Sequence, residues 1–152
     1  MKLISVCGID KSGKTTIIKR INEITNKNHI IADRDASAYD FFNHLLDRIE
    51  NKSEYEKEYR EKQIQFRTIT NLAIFLTVSK KDWLVRCKEH NEQKLVGDLS
   101  FTKHQNALLK NFNNMKYPNV LKLNTSKLTE DECMSLILKR LGIHKEKINA
   151  NK

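Results

Sequence analysis

The chain has 152 residues, a net charge of +9 and a hydrophobic fraction of 39%, with four glycines and one proline. That length fits one domain that buries roughly 70% of its unfolded surface and needs neither disulfide nor metal to hold it, and no apolar run approaches the roughly 20 residues of a membrane-spanning helix. The positive charge favours anionic partners but is spread along the chain. Cys7, Cys87 and Cys133 lie far apart and read as reduced thiols in a cytoplasmic protein, and the five histidines lack metal-ligand spacing.

Residues 3–7, Leu-Ile-Ser-Val-Cys, read as a buried strand that runs directly into a glycine loop rather than as part of a signal peptide. Residues 15–26 read as a helix with Ile17, Ile21 and Ile24 on one face. A short strand over 29–32 ends at Asp33-Arg34-Asp35, and a helical stretch follows over 36–50. Ser53 with Glu56 forms a capping-box signature for a helix reaching about residue 70. Residues 72–78 are the clearest strand, apolar on both faces as a central parallel strand should be. Ser79 with Asp82 caps a helix carrying Trp83 and Cys87, and 91–97 read as a mobile polar connection. A helix over 100–115 is broken by Tyr117-Pro118, and 120–123 form the last strand. Thr129 with Glu132 caps a final helix that Gly142 closes.

The alternation of strands and helices implies an α/β three-layer sandwich around a mostly parallel central sheet, with a single domain over 1–143 and a polar tail over 144–152. Ligands of such sheets bind at the C-terminal ends of the strands, so the residues after each strand carry the functional expectation.

After the first strand stands Gly8-Ile9-Asp10-Lys11-Ser12-Gly13-Lys14-Thr15-Thr16, which fits G-x-x-x-x-G-K-[ST] in a strand–loop–helix context. A chain of this length with average residue usage matches that pattern by chance about once in 200. The two glycines let the backbone curl so that successive N–H groups, from Gly8 through Ser12 to Thr16, converge on phosphate oxygens. The helix N-terminus adds positive potential, Lys14 a charge for the β- and γ-phosphates, and the Thr15 hydroxyl a ligand for Mg²⁺. The expected cofactors are therefore ATP and Mg²⁺.

With its G-x-D-x-x-G-K-T-T loop, the chain resembles a short member of the thymidylate kinase-like branch of the P-loop nucleoside and nucleotide kinases. Asp33-Arg34 with the downstream Ser37-Ala38-Tyr39 is similar to that family's D-R-[YHF] segment. Residues 71–86 are similar to its strand, helix and basic lead-in to the lid, and 117–128 to its last strand and adenine loop. The resemblance implies that Asp10 approaches the acceptor sugar and Lys11 the transferred phosphoryl group. It likewise implies that Asp33 serves near Mg²⁺ or the attacking phosphate and that Arg34 grips the acceptor phosphate. Arg86 and the Lys94 region would belong to the lid, and Thr125 and Ser126 would border adenine. Three features depart from the family pattern, one being a shorter distance from Asp33 to Tyr39. Only about seventeen residues separate Thr16 from Asp33, and Asp35 replaces the aromatic. The acceptor pocket is then reduced, or rebuilt by residues such as Phe66 and Arg67.

The expected activity is an ATP-dependent phosphotransferase acting on a nucleoside monophosphate, deoxynucleotide or thymidylate-like acceptors first. One alternative is a kinase for a nucleoside or a nucleic-acid 5′ end. Another is a degenerate nucleotide-binding module that binds protein or nucleic acid. No membrane partner is expected, nucleic acid is not favoured, and a homodimer is compatible with the sequence. Plainer readings stand beside the functional ones: Asp33-Arg34 as a turn with a surface ion pair, Lys11 as a solvated loop residue, Arg86 on a solvated helix face, and Tyr39, Phe41 and Phe42 as core.

Overall fold

The computed structural model describes residues 2–9, 11–27, 29–33, 52–89 and 98–143. The expected helix over 36–50, the connection over 91–97 and the tail from 144 lie outside these residues, as do Asp10 and Arg34. Four strands, β1 (Leu3–Cys7), β2 (Ile30–Asp33), β3 (Leu72–Thr77) and β4 (Val120–Asn124), form one sheet in the order β2-β1-β3-β4. Every pairing is parallel: Val6 stands opposite Asp33, Val6 also opposite Ile74, and Thr77 opposite Asn124. The expectation of a mostly parallel sheet sharpens to an all-parallel one among the described residues.

Five helices are described: α1 (Lys14–Ile24), α2 (Lys52–Ile69), α3 (Lys80–Glu89), α4 (Asp98–Asn114) and α5 (Glu130–Leu141). The strand order fixes where they lie. The chain moves from β1 to β2 in one direction and then crosses back past β1 to β3 and β4. Right-handed crossovers taken in opposite directions place their helices on opposite faces. Ile17 and Ile21 of α1 accordingly pack with Cys133, Met134 and Ile137 of α5 against Ile4, Val6, Leu72, Ile74 and Leu76. On the other face Trp83 and Cys87 of α3 and Phe101, Leu108 and Phe112 of α4 pack against Cys7, Ala73 and Phe75, with Phe66 of α2 alongside. β3 thus sends alternate side chains into two cores, and this is why its sequence shows no polar alternation. Each of the larger apolar side chains contributes roughly 1.5–3 kcal/mol on burial. Phe112 stacks at a tilt on Phe75 at 5.1 Å and on Tyr117 at 5.6 Å, and Trp83 on Phe101 at 5.0 Å.

Element ends follow local chemistry. α1 stops at Ile24, two residues before its expected end: Thr25 still gives its N–H and its hydroxyl to the Ile21 carbonyl, and the backbone leaves the helix immediately after it. Asn26 and Lys27 then adopt left-handed backbone. α5 opens with the expected capping box between Thr129 and Glu132 and closes on Gly142 at φ 73°, whose N–H reaches back to Leu138 and Lys139. The cysteines Cys7, Cys87 and Cys133 are buried free thiols. Among the described residues no helix is long and apolar enough to cross a membrane.

Candidate functional site

In a parallel sheet all strands end at one edge, and the chain direction reverses between β1 and β3. The crevice of this topology therefore opens over the loops after those two strands. The loop after β1 runs from Gly8 to Gly13. A Cβ on Gly8 would lie 2.6 Å from Ser12 Oγ and 2.7 Å from the Leu76 carbonyl of β3, so only glycine fits there. Lys11 at φ 66° and Gly13 at φ 105° curl the chain back toward α1. Gly13 supplies no side-chain cap, and the first turn of α1 holds no acidic residue. The N-cap and first turn of α1 therefore bring no capping side chain and no acidic charge of their own to the leading N–H groups and the positive end of the dipole.

Lys14 is 93% buried by its 7% exposure, and its ammonium donates to the Gly8 carbonyl at 2.8 Å, so it lies across the loop from one end to the other. Ser12 Oγ is buried with no hydrogen-bond partner among the described residues. A cavity of about 730 Å³ opens beside the loop. Lys11, Gly13, Lys14, Thr15, Thr16 and Arg86 form one side of it, and Ile17, Leu128 and Cys133 form an apolar wall. Burial, then Glu132 and Glu130, pushes the Cys133 thiol up, so it remains a neutral part of that wall. Glu130 stands on the rim, paired with Arg20 of α1 at 3.1 Å, while Arg20 also donates to Asp131 at 2.7 Å.

The structure brings together most of the residues singled out in the sequence. Gly8, Lys11, Ser12, Gly13, Lys14, Thr15 and Thr16 form the loop and the start of α1. Asp33 ends β2 beside Val6, on the same sheet edge, and Arg34 follows it in the chain. Arg86 lines the cavity and donates to the Lys11 carbonyl at 2.8 Å, to Thr125 Oγ1 at 3.3 Å and to the Thr125 carbonyl at 3.3 Å. Ser126 stands one layer away: its hydroxyl accepts from the Ser79 N–H at 2.8 Å and donates to Ser79 Oγ at 3.1 Å. Hydrogen bonding from Ser126 first, then from Ser79, with the charges of Arg86 and Lys81 assisting, holds the Asp82 carboxyl below the usual carboxylate range. Phe66 packs on the core, and Arg67 is half-buried at the end of α2.

The apolar wall as such was not singled out in the sequence, although Leu128 ends the stretch that resembles the adenine loop. Its signal lay in the capping box, which fixes Leu128 just before α5 at the strand-end edge and Cys133 one turn inside the helix. Chemically, the arrangement offers backbone donors, two lysines and an arginine beside apolar side chains, in a cavity roomy enough for an anion that carries a heterocycle. No family model, curated protein or solved structure matches this chain.

Proposed function

We propose that the Gly8–Gly13 loop is a P-loop that binds the phosphates of ATP with Mg²⁺, and that the protein is a P-loop phosphotransferase of the nucleoside monophosphate kinase type. The observation that carries the reading is the buried Lys14 ammonium held across a glycine-dependent loop at an uncapped helix N-terminus. An anion there gains from the helix dipole, the backbone donors and the lysine together. The residues fit a triphosphate with its metal. Gly8 lets the loop pack close against Ser12 and the Leu76 carbonyl of β3, and the exposed Thr15 lies on the cavity with a hydroxyl to serve Mg²⁺. Mg²⁺ in such sites is held largely by phosphate oxygens and water and needs no acidic cage.

When bound, MgATP supplies the transferable phosphoryl group. The chain's own residues then position and neutralise. Lys14 leaves the Gly8 carbonyl for phosphate oxygens, Lys11 lies beside them, and Ile17 and Leu128 exclude water from the nucleoside side. Asp33 ends the adjacent strand, where an acceptor monophosphate, a deoxynucleotide first, would approach in line, and Arg34, next in the sequence, would grip its phosphate. The test is ATP consumption against nucleoside monophosphates, nucleosides and 5′-hydroxyl oligonucleotides. Turnover with a monophosphate supports the reading. Turnover only with one of the other classes would redirect the acceptor assignment, and no turnover with any would leave nucleotide binding without transfer.

A further inference from the structure

We propose that Thr125 and Arg86, which also line the cavity, are positioning residues that hold the phosphate-binding loop in its receptive shape through its carbonyls. The proposal rests on the phosphate-binding reading above and adds residues that act through the loop. The Thr125 hydroxyl donates to the Ser12 carbonyl at 2.8 Å, and Arg86 donates to the Lys11 carbonyl at 2.8 Å. Thr125 is itself fixed to the sheet, since its N–H donates to the Thr77 carbonyl at the end of β3 at 2.8 Å. Arg86 grips both partners, reaching Thr125 Oγ1 and the Thr125 carbonyl at 3.3 Å each. Two successive loop carbonyls are thus tied to α3 and to the turn after β4.

Peptide planarity converts this into control of the donors. A trans peptide directs its N–H opposite to its carbonyl. Holding the Ser12 carbonyl on Thr125 turns the Gly13 N–H away from the bracket, and holding the Lys11 carbonyl sends the Ser12 N–H toward the Ile9 carbonyl, 3.2 Å away. Lys11 needs such support, because a non-glycine at φ 66° carries roughly 1–2 kcal/mol of backbone strain. Without the bracket the Ser12–Gly13 peptide is free to rotate. A phosphate would then face a carbonyl lone pair where a donor stood. The loss should fall on phosphate affinity, since neither hydrogen bond to a loop carbonyl is itself a ligand contact.

The experiment is titration calorimetry with MgATP and with inorganic tripolyphosphate on wild type, Thr125→Val, Thr125→Ser and Arg86→Lys, with a thermal melt of each ligand-free protein. Thr125→Val keeps the shape and removes the hydroxyl. It should bind both probes roughly tenfold or more weakly, while Thr125→Ser, which keeps the hydroxyl, stays within about threefold of wild type. Arg86→Lys keeps the charge and loses the fork, so it should bind several-fold more weakly; it carries the test if Thr125→Val does not fold. Wild-type affinity in Thr125→Val or in Arg86→Lys overturns the proposal, as does a Thr125→Ser loss equal to that of valine. If wild type binds neither probe, the phosphate-binding reading itself falls and this inference with it.

Discussion

Gly8→Ala is the substitution whose cost the structure fixes most tightly. The new methyl group would lie 2.6 Å from Ser12 Oγ and 2.7 Å from the Leu76 carbonyl, at φ 152°. Ser12 can rotate its hydroxyl, but the Leu76 carbonyl belongs to the central strand β3 and cannot move without disturbing the sheet. Overpacking of this kind costs about 1–3 kcal/mol, and the positive φ adds about 1–2 kcal/mol. At roughly 2–4 °C per kcal/mol for a domain of this size, a cost near 3 kcal/mol lowers the melting temperature by roughly 6–12 °C. Gly142→Ala is the internal control: its φ is 73° and nothing lies within 4 Å of the added atom. It should cost about 1 kcal/mol, or roughly 2–4 °C. Gly13→Ala, at φ 105° with its nearest neighbour Thr125 Cγ2 at 3.6 Å, should fall between the two. Circular-dichroism melts and urea curves of the three variants give the order. A Gly8→Ala protein as stable as Gly142→Ala would refute the close approach of the loop to β3.

Thr129→Ala removes the hydroxyl that accepts from the Glu132 N–H at 3.1 Å and should destabilise the protein by about 1 kcal/mol in a urea titration. The Thr129 N–H first, and its hydroxyl second, hold the Glu132 carboxyl below the usual glutamate range. A depressed folded value stabilises above the unfolded titration and is lost as pH falls through the folded one, so the stability gap between wild type and Glu132→Gln should close on acidification. A gap that widens in acid would reverse the sign of this linkage. Thr15→Ala should weaken ATP binding more with Mg²⁺ than without it, because the hydroxyl serves the metal. Equal losses in the two titrations would reduce Thr15 to a helix-start residue.

The strands were legible as short segments rich in apolar residues, and β3 as an unbroken apolar run from Leu72 to Leu76, which the fold buries throughout. The Thr129–Glu132 capping box and Gly142 marked the ends of α5 for similarly local reasons, whereas the expected Ser53–Glu56 box falls inside α2, which already begins at Lys52. Local sequence did not show that β1 sits between β2 and β3, which is what opens the crevice over the glycine loop. Arg86 and Thr125 illustrate the same limit. The family resemblance places them near the lid and the adenine, while their hydrogen bonds to Lys11 and Ser12 join positions 75 and 113 residues apart. Such contacts depend on which strand ends lie side by side. The loop itself was legible because its chemistry is written in consecutive residues.

The central claim is that Lys14 and its loop bind the phosphates of a nucleoside triphosphate. A thermal melt of wild type and Lys14→Ala, each with and without MgATP, tests it most directly. Ligand at a hundredfold excess over its Kd stabilises the native state by about 2.7 kcal/mol. The account predicts an upward shift of roughly 5–11 °C for wild type and none for Lys14→Ala, each measured against its own ligand-free melt. An unshifted wild-type melt, or an equal shift in both proteins, would contradict it.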